Sequence, residues 1–151
     1  MKRIGEWIYA LAVCRKYSLS WNPFCALGDG TYKWKGCVSV NPFSKNFISI
    51  FMHEVGHHVH DKKVKYSSWI VANGDELRYS DNGHEIFKTL EAESLASRYA
   101  VLTGRCNKGY LERCFNTYTG AVFKAMHKGF VRENFSQVVD ASYKGFRRIR
   151  G

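Results

Sequence analysis

Residues 53–57 read His53-Glu54-Val55-Gly56-His57. On a helix, two histidines four positions apart project from one face, one turn apart, so both imidazoles reach a single ion. Glu54 lies about 100° round from His53, beside that ion without ligating it, where a carboxylate can take a proton from an activated water. A catalytic zinc wants three protein ligands and one open position. A third histidine ten residues after the first is excluded, because that position is Lys63. A downstream glutamate remains, and Glu91 and Glu93 are the candidates. They stand about 160° apart around a helix, so only one can face the ion. Glu91 shares its side with Lys88 and Arg98, a solvated face. Glu93 shares its side with Ala96 and Ala100, small residues that permit close helix contact, and Gly56 offers a matching small surface. The expected centre is one zinc ion per chain on His53, His57 and Glu93, with Glu54 as the catalytic base.

Two imidazoles and one carboxylate leave such a site a net charge near +1, which lowers the pKa of a bound water from 15.7 toward ~7. A further group should stabilise an oxyanion. His84, Tyr79 and Tyr99 are candidates, and the sequence does not choose among them. His60 lies one turn beyond His57 and suits contact with a ligand side chain or substrate better than a fourth ligand position, which would close the site. His58 points elsewhere and is expected to be exposed.

These residues need two helices to hold them. Phe47, Ile48, Phe51, Val55 and Val59 share one arc, and His53, His57 and His60 share the opposite one, predicting a helix from about Phe47 to His60, capped by Ser44 or Asn46 and lining a cleft. A second helix is predicted from about His84 to Leu102, stopped by Gly104. Before them, Ile4, Trp7, Ile8 and Leu11 fall at i, i+3, i+4 and i+7, the stripe of a first amphipathic helix. The stretch from Ser20 to Gly30 is rich in turn residues. Extended pieces follow around Thr31–Trp34 and Cys37–Val40, suggesting a small sheet or hairpin. Residues 61–83, with Asn73-Gly74 and Asn82-Gly83, look like a long connection. The part from 107 to 146 has helical spacing of Phe115, Tyr118, Val122, Phe123 and Met126, then of Phe130 and Phe135. The expected fold is α+β, mostly helical, with a short β-sheet or hairpin before the HExxH helix.

Length and composition agree with one domain over residues 1–151: 45% hydrophobic, 15% aromatic and 24% charged residues in 151 give a real core, and two prolines leave little room for linkers. Folding does not need a metal staple, so a metal here is expected for chemistry. Five cysteines without a CxxC pair disfavour a disulfide framework or a zinc ribbon and suggest a reducing, cytoplasmic setting. No segment is long enough to span a membrane. Glu6 interrupts the N-terminal apolar run and argues against a signal peptide. The formal charge of +10 favours nucleic acid, acidic protein surfaces or an anionic membrane face without naming one. Its densest cluster is a basic C-terminal tail, Lys144, Arg147, Arg148 and Arg150.

His53–His60 (HEVGHHVH), the preceding Val38-Ser39-Val40-Asn41, and Glu93-Ser94-Leu95-Ala96-Ser97-Arg98-Tyr99-Ala100 resemble the ImmA/IrrE-type zinc metallopeptidases, over about residues 36–102. In that family an "I-x-N" strand precedes HExxH and E-x-x-A-N-x-F-A follows. Here Ser97 replaces the usual Asn or Asp, Tyr99 the usual Phe, and Thr103-Gly104-Arg105 the apolar-Met-Pro continuation. The resemblance implies a zincin-like, gluzincin fold and proteolysis of a cytosolic protein, often a DNA-binding repressor. It also implies that the strand near Cys37–Val40 offers an edge to a peptide substrate. The small basic format looks like that of a phage or mobile-element protein, acting in the host cytoplasm. On this reading the partner is a protein or peptide, nucleic acid binds weakly and non-specifically if at all, and no membrane is involved. Two rivals stand beside it. One is a nucleic-acid-binding protein with a structural metal, motivated by Tyr32-Lys33-Trp34-Lys35. The other is a partner-binding protein with a vestigial zinc site.

Overall fold

A computed structural model of the chain describes residues 2–24, 30–33, 36–60, 83–127 and 135–151. Among these, five helices and three short strands follow in the order α1 (Lys2–Tyr17), β1 (Ser20–Asn22), β2 (Gly30–Lys33), β3 (Cys37–Val40), α2 (Phe47–His60), α3 (Gly83–Leu102), α4 (Lys108–His127) and α5 (Phe135–Arg150). The class is α+β. The connection expected over 61–83 lies, but for its last residue, outside the described residues, as do Trp34, Tyr79 and Phe130.

α2 begins and ends where the sequence pattern puts it. The Ile50 N–H donates to the Asn46 carbonyl at 3.0 Å, which makes Asn46 the residue from which the helix starts. α3 ends at Gly104, whose φ of +71° is open to glycine at no steric cost. Asn107 then caps α4, its side-chain oxygen accepting from the Tyr110 N–H at 3.0 Å.

The sheet has the order β1-β3-β2. β3 pairs antiparallel with β2 and parallel with β1. It is therefore the central strand, with Val38 and Val40 fully buried, and offers no free edge to a substrate. β1 falls within the stretch whose composition reads as turns. Trp21 on β1 donates its indole N–H to the Val40 carbonyl at 3.0 Å and packs at a tilt against the Phe47 ring, so the parallel strand is held by a tertiary anchor.

α2 lies between the sheet and α3, and His53 and His57 on its histidine front are buried. One core surrounds Phe47, Phe51, Val55, Val38 and Val40; a second joins Leu90, Phe115, Val122, Val138 and Ile149 from α3, α4 and α5. α5 includes the residues expected to form a basic tail. They lie on a packed helix, where Arg148 donates to Ser94 Oγ on α3 at 2.6 Å and Arg150 pairs with Glu112 on α4 at 3.4 Å.

α1 turns outward most of the apolar stripe that marks it in the sequence. The helix forms, but Ala10, Val13 and Cys14 make its buried face. Ile4, Ile8 and Leu11 face solvent, and Trp7 is half-buried. Small residues allow the helix axis to come close to its neighbours, and that contact outweighs the bulkier stripe.

Candidate metal centre

Gly56 and Ala96 set the distance between the two helices that carry the site. A Cβ on Gly56 would lie 2.7 Å from both the Ala96 Cα and its carbonyl oxygen, closer than real Cβ contacts come. α2 and α3 therefore meet backbone to backbone. His57, next to Gly56, and His53, one turn before it, converge there with Glu93, one turn before Ala96 on α3.

The three side chains are buried, Glu93 to 1% exposure. His53 Nε2 lies 3.0 Å from Glu93 Oε2 and 3.0 Å from His57 Nε2, which is itself 3.4 Å from Glu93 Oε1. Tetrahedral bonds of about 2.0–2.1 Å hold ligand atoms about 3.3 Å apart. The donor set and its spacing thus fit one metal ion, and His53, His57 and Glu93 could hold it. Glu91, by contrast, is exposed, as its place on the helix predicts.

Ser97 Oγ stands 3.0 Å from His53 Nδ1. With a metal bound, an Nδ1–H donated to that oxygen would leave the Nε2 lone pair for the ion. Burial pushes the Glu93 carboxyl up, but attraction to His57 and hydrogen bonds from both imidazoles outweigh it and hold it well below the usual carboxylate range. It is an anion, as a ligand must be.

Glu54 is buried beside this group without belonging to it. Burial is the largest influence on its carboxyl and raises its pKa; Glu93 adds to the rise, while the two histidines and a hydrogen bond from the Tyr32 backbone N–H oppose it. Gly30 lets β2 lie against the helix here, since a Cβ on it would run into Ile50 and meet Glu54 Cγ at 3.6 Å. β2 is an outer strand of the described sheet, so Glu54 is tethered to an edge.

The other residues singled out in the sequence fare differently. His58 is half-buried, with its Nδ1 3.1 Å from Tyr32 Oη, because β2 covers this side of α2. His60 lies edge-on to Tyr99 and outside the metal group. Tyr99 shares its hydroxyl hydrogen bond with Tyr17 Oη at 2.6 Å, tying α1 to α3. Tyr79 and the His84 side chain lie outside the described residues.

Tyr118, on α4, takes a place that sequence reasoning gave to the core alone. It packs against the core cluster that Leu90 of α3 forms with Phe115, Val122, Val138 and Ile149. The Glu93 charge is the largest influence on its phenol, followed by burial and the Glu54 charge, and together they raise its pKa far above the usual range. The phenol thus stays protonated, close enough to both carboxylates to feel their charge. Only its i+3 spacing from Phe115 was visible in the sequence, and that spacing reports a helix face, not a neighbour.

The cysteines described, Cys14, Cys37, Cys106 and Cys114, are free thiols. No described helix is long and apolar enough to cross a membrane. Comparison of the chain with family models, curated proteins and solved structures finds no match to any of them.

Proposed function

We propose that the protein is a zinc-dependent peptidase of zincin-like design that hydrolyses a peptide bond in a protein substrate. The observation that carries this reading is the convergence of His53, His57 and Glu93 with Glu54 buried beside them but not among the ligands. A purely structural metal would have no use for that fourth group. When bound, zinc supplies Lewis acidity toward a water and the scissile carbonyl. Glu54, whose raised pKa makes it a stronger base than an exposed carboxylate, takes the water proton and passes it to the leaving amine. Ser97 holds His53 in the ligating tautomer. Tyr118, kept protonated, donates to the oxyanion that develops on the carbonyl. The substrate strand adds to the β2 edge, whose Tyr32 backbone is already linked to the base.

The test is hydrolysis of a peptide library by the zinc-loaded protein, read by mass spectrometry, beside Glu54→Gln. The amide keeps the size of the side chain but cannot accept the proton. Cleavage by wild type, reduced by about 10²-fold or more in the variant with zinc content unchanged, supports the reading. Equal cleavage by both proteins would remove Glu54 from the mechanism.

A further inference from the structure

The α1 stripe is an apolar surface that the proposed chemistry does not use. Ile4, Ile8 and Leu11, at i, i+4 and i+7, are 57%, 62% and 57% exposed. Phe43, 69% exposed, extends the patch from the loop before α2, set edge-on against Trp7 at 5.9 Å. Trp7 is fixed there by the hydrogen bond from its indole N–H to the Pro42 carbonyl at 3.0 Å. Among the described residues, the charges flanking this patch are basic. Lys2 and Arg3 are exposed at one end of the helix and Arg15 and Lys16 at the other. Lys45 is exposed two residues from Phe43. The one acid of α1, Glu6, is half-buried on another side.

We propose that α1 docks on an anionic lipid surface, lying in its plane with Ile4, Ile8, Leu11 and Phe43 inserted and the basic residues against the headgroups. This departs from the sequence expectation that no membrane is involved. Three arguments select a bilayer. A second copy is disfavoured, because stacking two such faces opposes basic ends to basic ends in a chain of net charge +10. A helical protein partner would need a longer seam: the next position, Arg15, is already charged, leaving under two heptads. A convex apolar stripe between cations, with aromatic rings at its border, is the pattern of an interfacial helix, which requires no register.

The test is flotation of the full chain with vesicles of phosphatidylcholine alone or with phosphatidylglycerol added, using wild type and Ile4→Ser/Ile8→Ser/Leu11→Ser. The triple variant keeps the net charge, and helical circular dichroism checks that it folds. Wild type is expected to float with the anionic vesicles and not with the neutral ones, and the variant to bind about tenfold more weakly or less. A second variant, Phe43→Ser, is expected to weaken binding without altering α1. Equal flotation of wild type and the triple variant would reduce the effect to diffuse charge and overturn the proposal. So would absence of wild-type flotation, or a dimer in light scattering that the triple variant abolishes. None of these readouts depends on zinc or hydrolysis, so the proposal stands or falls apart from the peptidase reading.

Discussion

Gly56 and Ala96 touch so closely that a single methyl group does not fit between them: the Cβ that alanine would add lies 2.7 Å from the Ala96 Cα. The obstacle is backbone, not the end of a flexible side chain. Gly56→Ala should therefore push α2 and α3 apart, and the helix propensity that alanine gains does not compensate. We expect a loss of about 1–3 kcal/mol in thermal or denaturant unfolding. Metal affinity should fall as well, because Glu93 moves with α3. An unchanged or raised stability would show that the helices do not meet at this point.

Ser97 acts on the metal through His53. Ser97→Ala removes the acceptor for the His53 Nδ1–H and leaves that donor buried. Zinc affinity should fall by about 10–100-fold in competition with a chelating dye, with little change in helical content. An unaltered affinity would mean that His53 does not need its Ser97 hydrogen bond.

Glu93 and Glu91 separate ligand from surface charge. Glu93→Gln removes the anion between the two imidazoles, so metal content and hydrolysis should be lost together. Glu91→Gln changes an exposed group beside which a charge is worth at most ~0.5 kcal/mol, and zinc content should be that of wild type. The reverse result would displace the ligand by two residues along α3.

Tyr118→Phe keeps the ring in its packing against the core cluster around Leu90 and removes only the hydroxyl. Zinc should remain bound and kcat should fall by about 10²-fold, the scale of a lost oxyanion donor. A change confined to KM would make Tyr118 a substrate contact instead.

The metal helix was legible because its signals are local: the HExxH spacing, the apolar arc from Phe47 to Val59, and a helix start at Asn46 all lie within one segment. Glu93 was legible for a related reason, since its side of α3 carries Ala96 and Ala100, which complement Gly56. What escaped was set by contacts between distant segments. β1 is three residues long and exists through pairing with β3 and the Trp21 anchor. His58 faces Tyr32 because β2 crosses α2 there. α1 shows the limit most clearly. Its bulky stripe predicts the buried face by hydropathy, yet Ala10, Val13 and Cys14 are the residues that pack, because small side chains add little to a hydrophobic pattern and much to a close approach.

The proposed zinc centre is tested most directly by X-ray absorption at the zinc edge on the protein loaded with one equivalent of metal. The account predicts nitrogen and oxygen neighbours at about 2.0–2.1 Å, with imidazole scattering that falls when His57 is replaced by alanine. A sulfur shell at about 2.3 Å would place the metal on cysteines, and failure to retain zinc would leave His53, His57 and Glu93 without an ion; either result would contradict it.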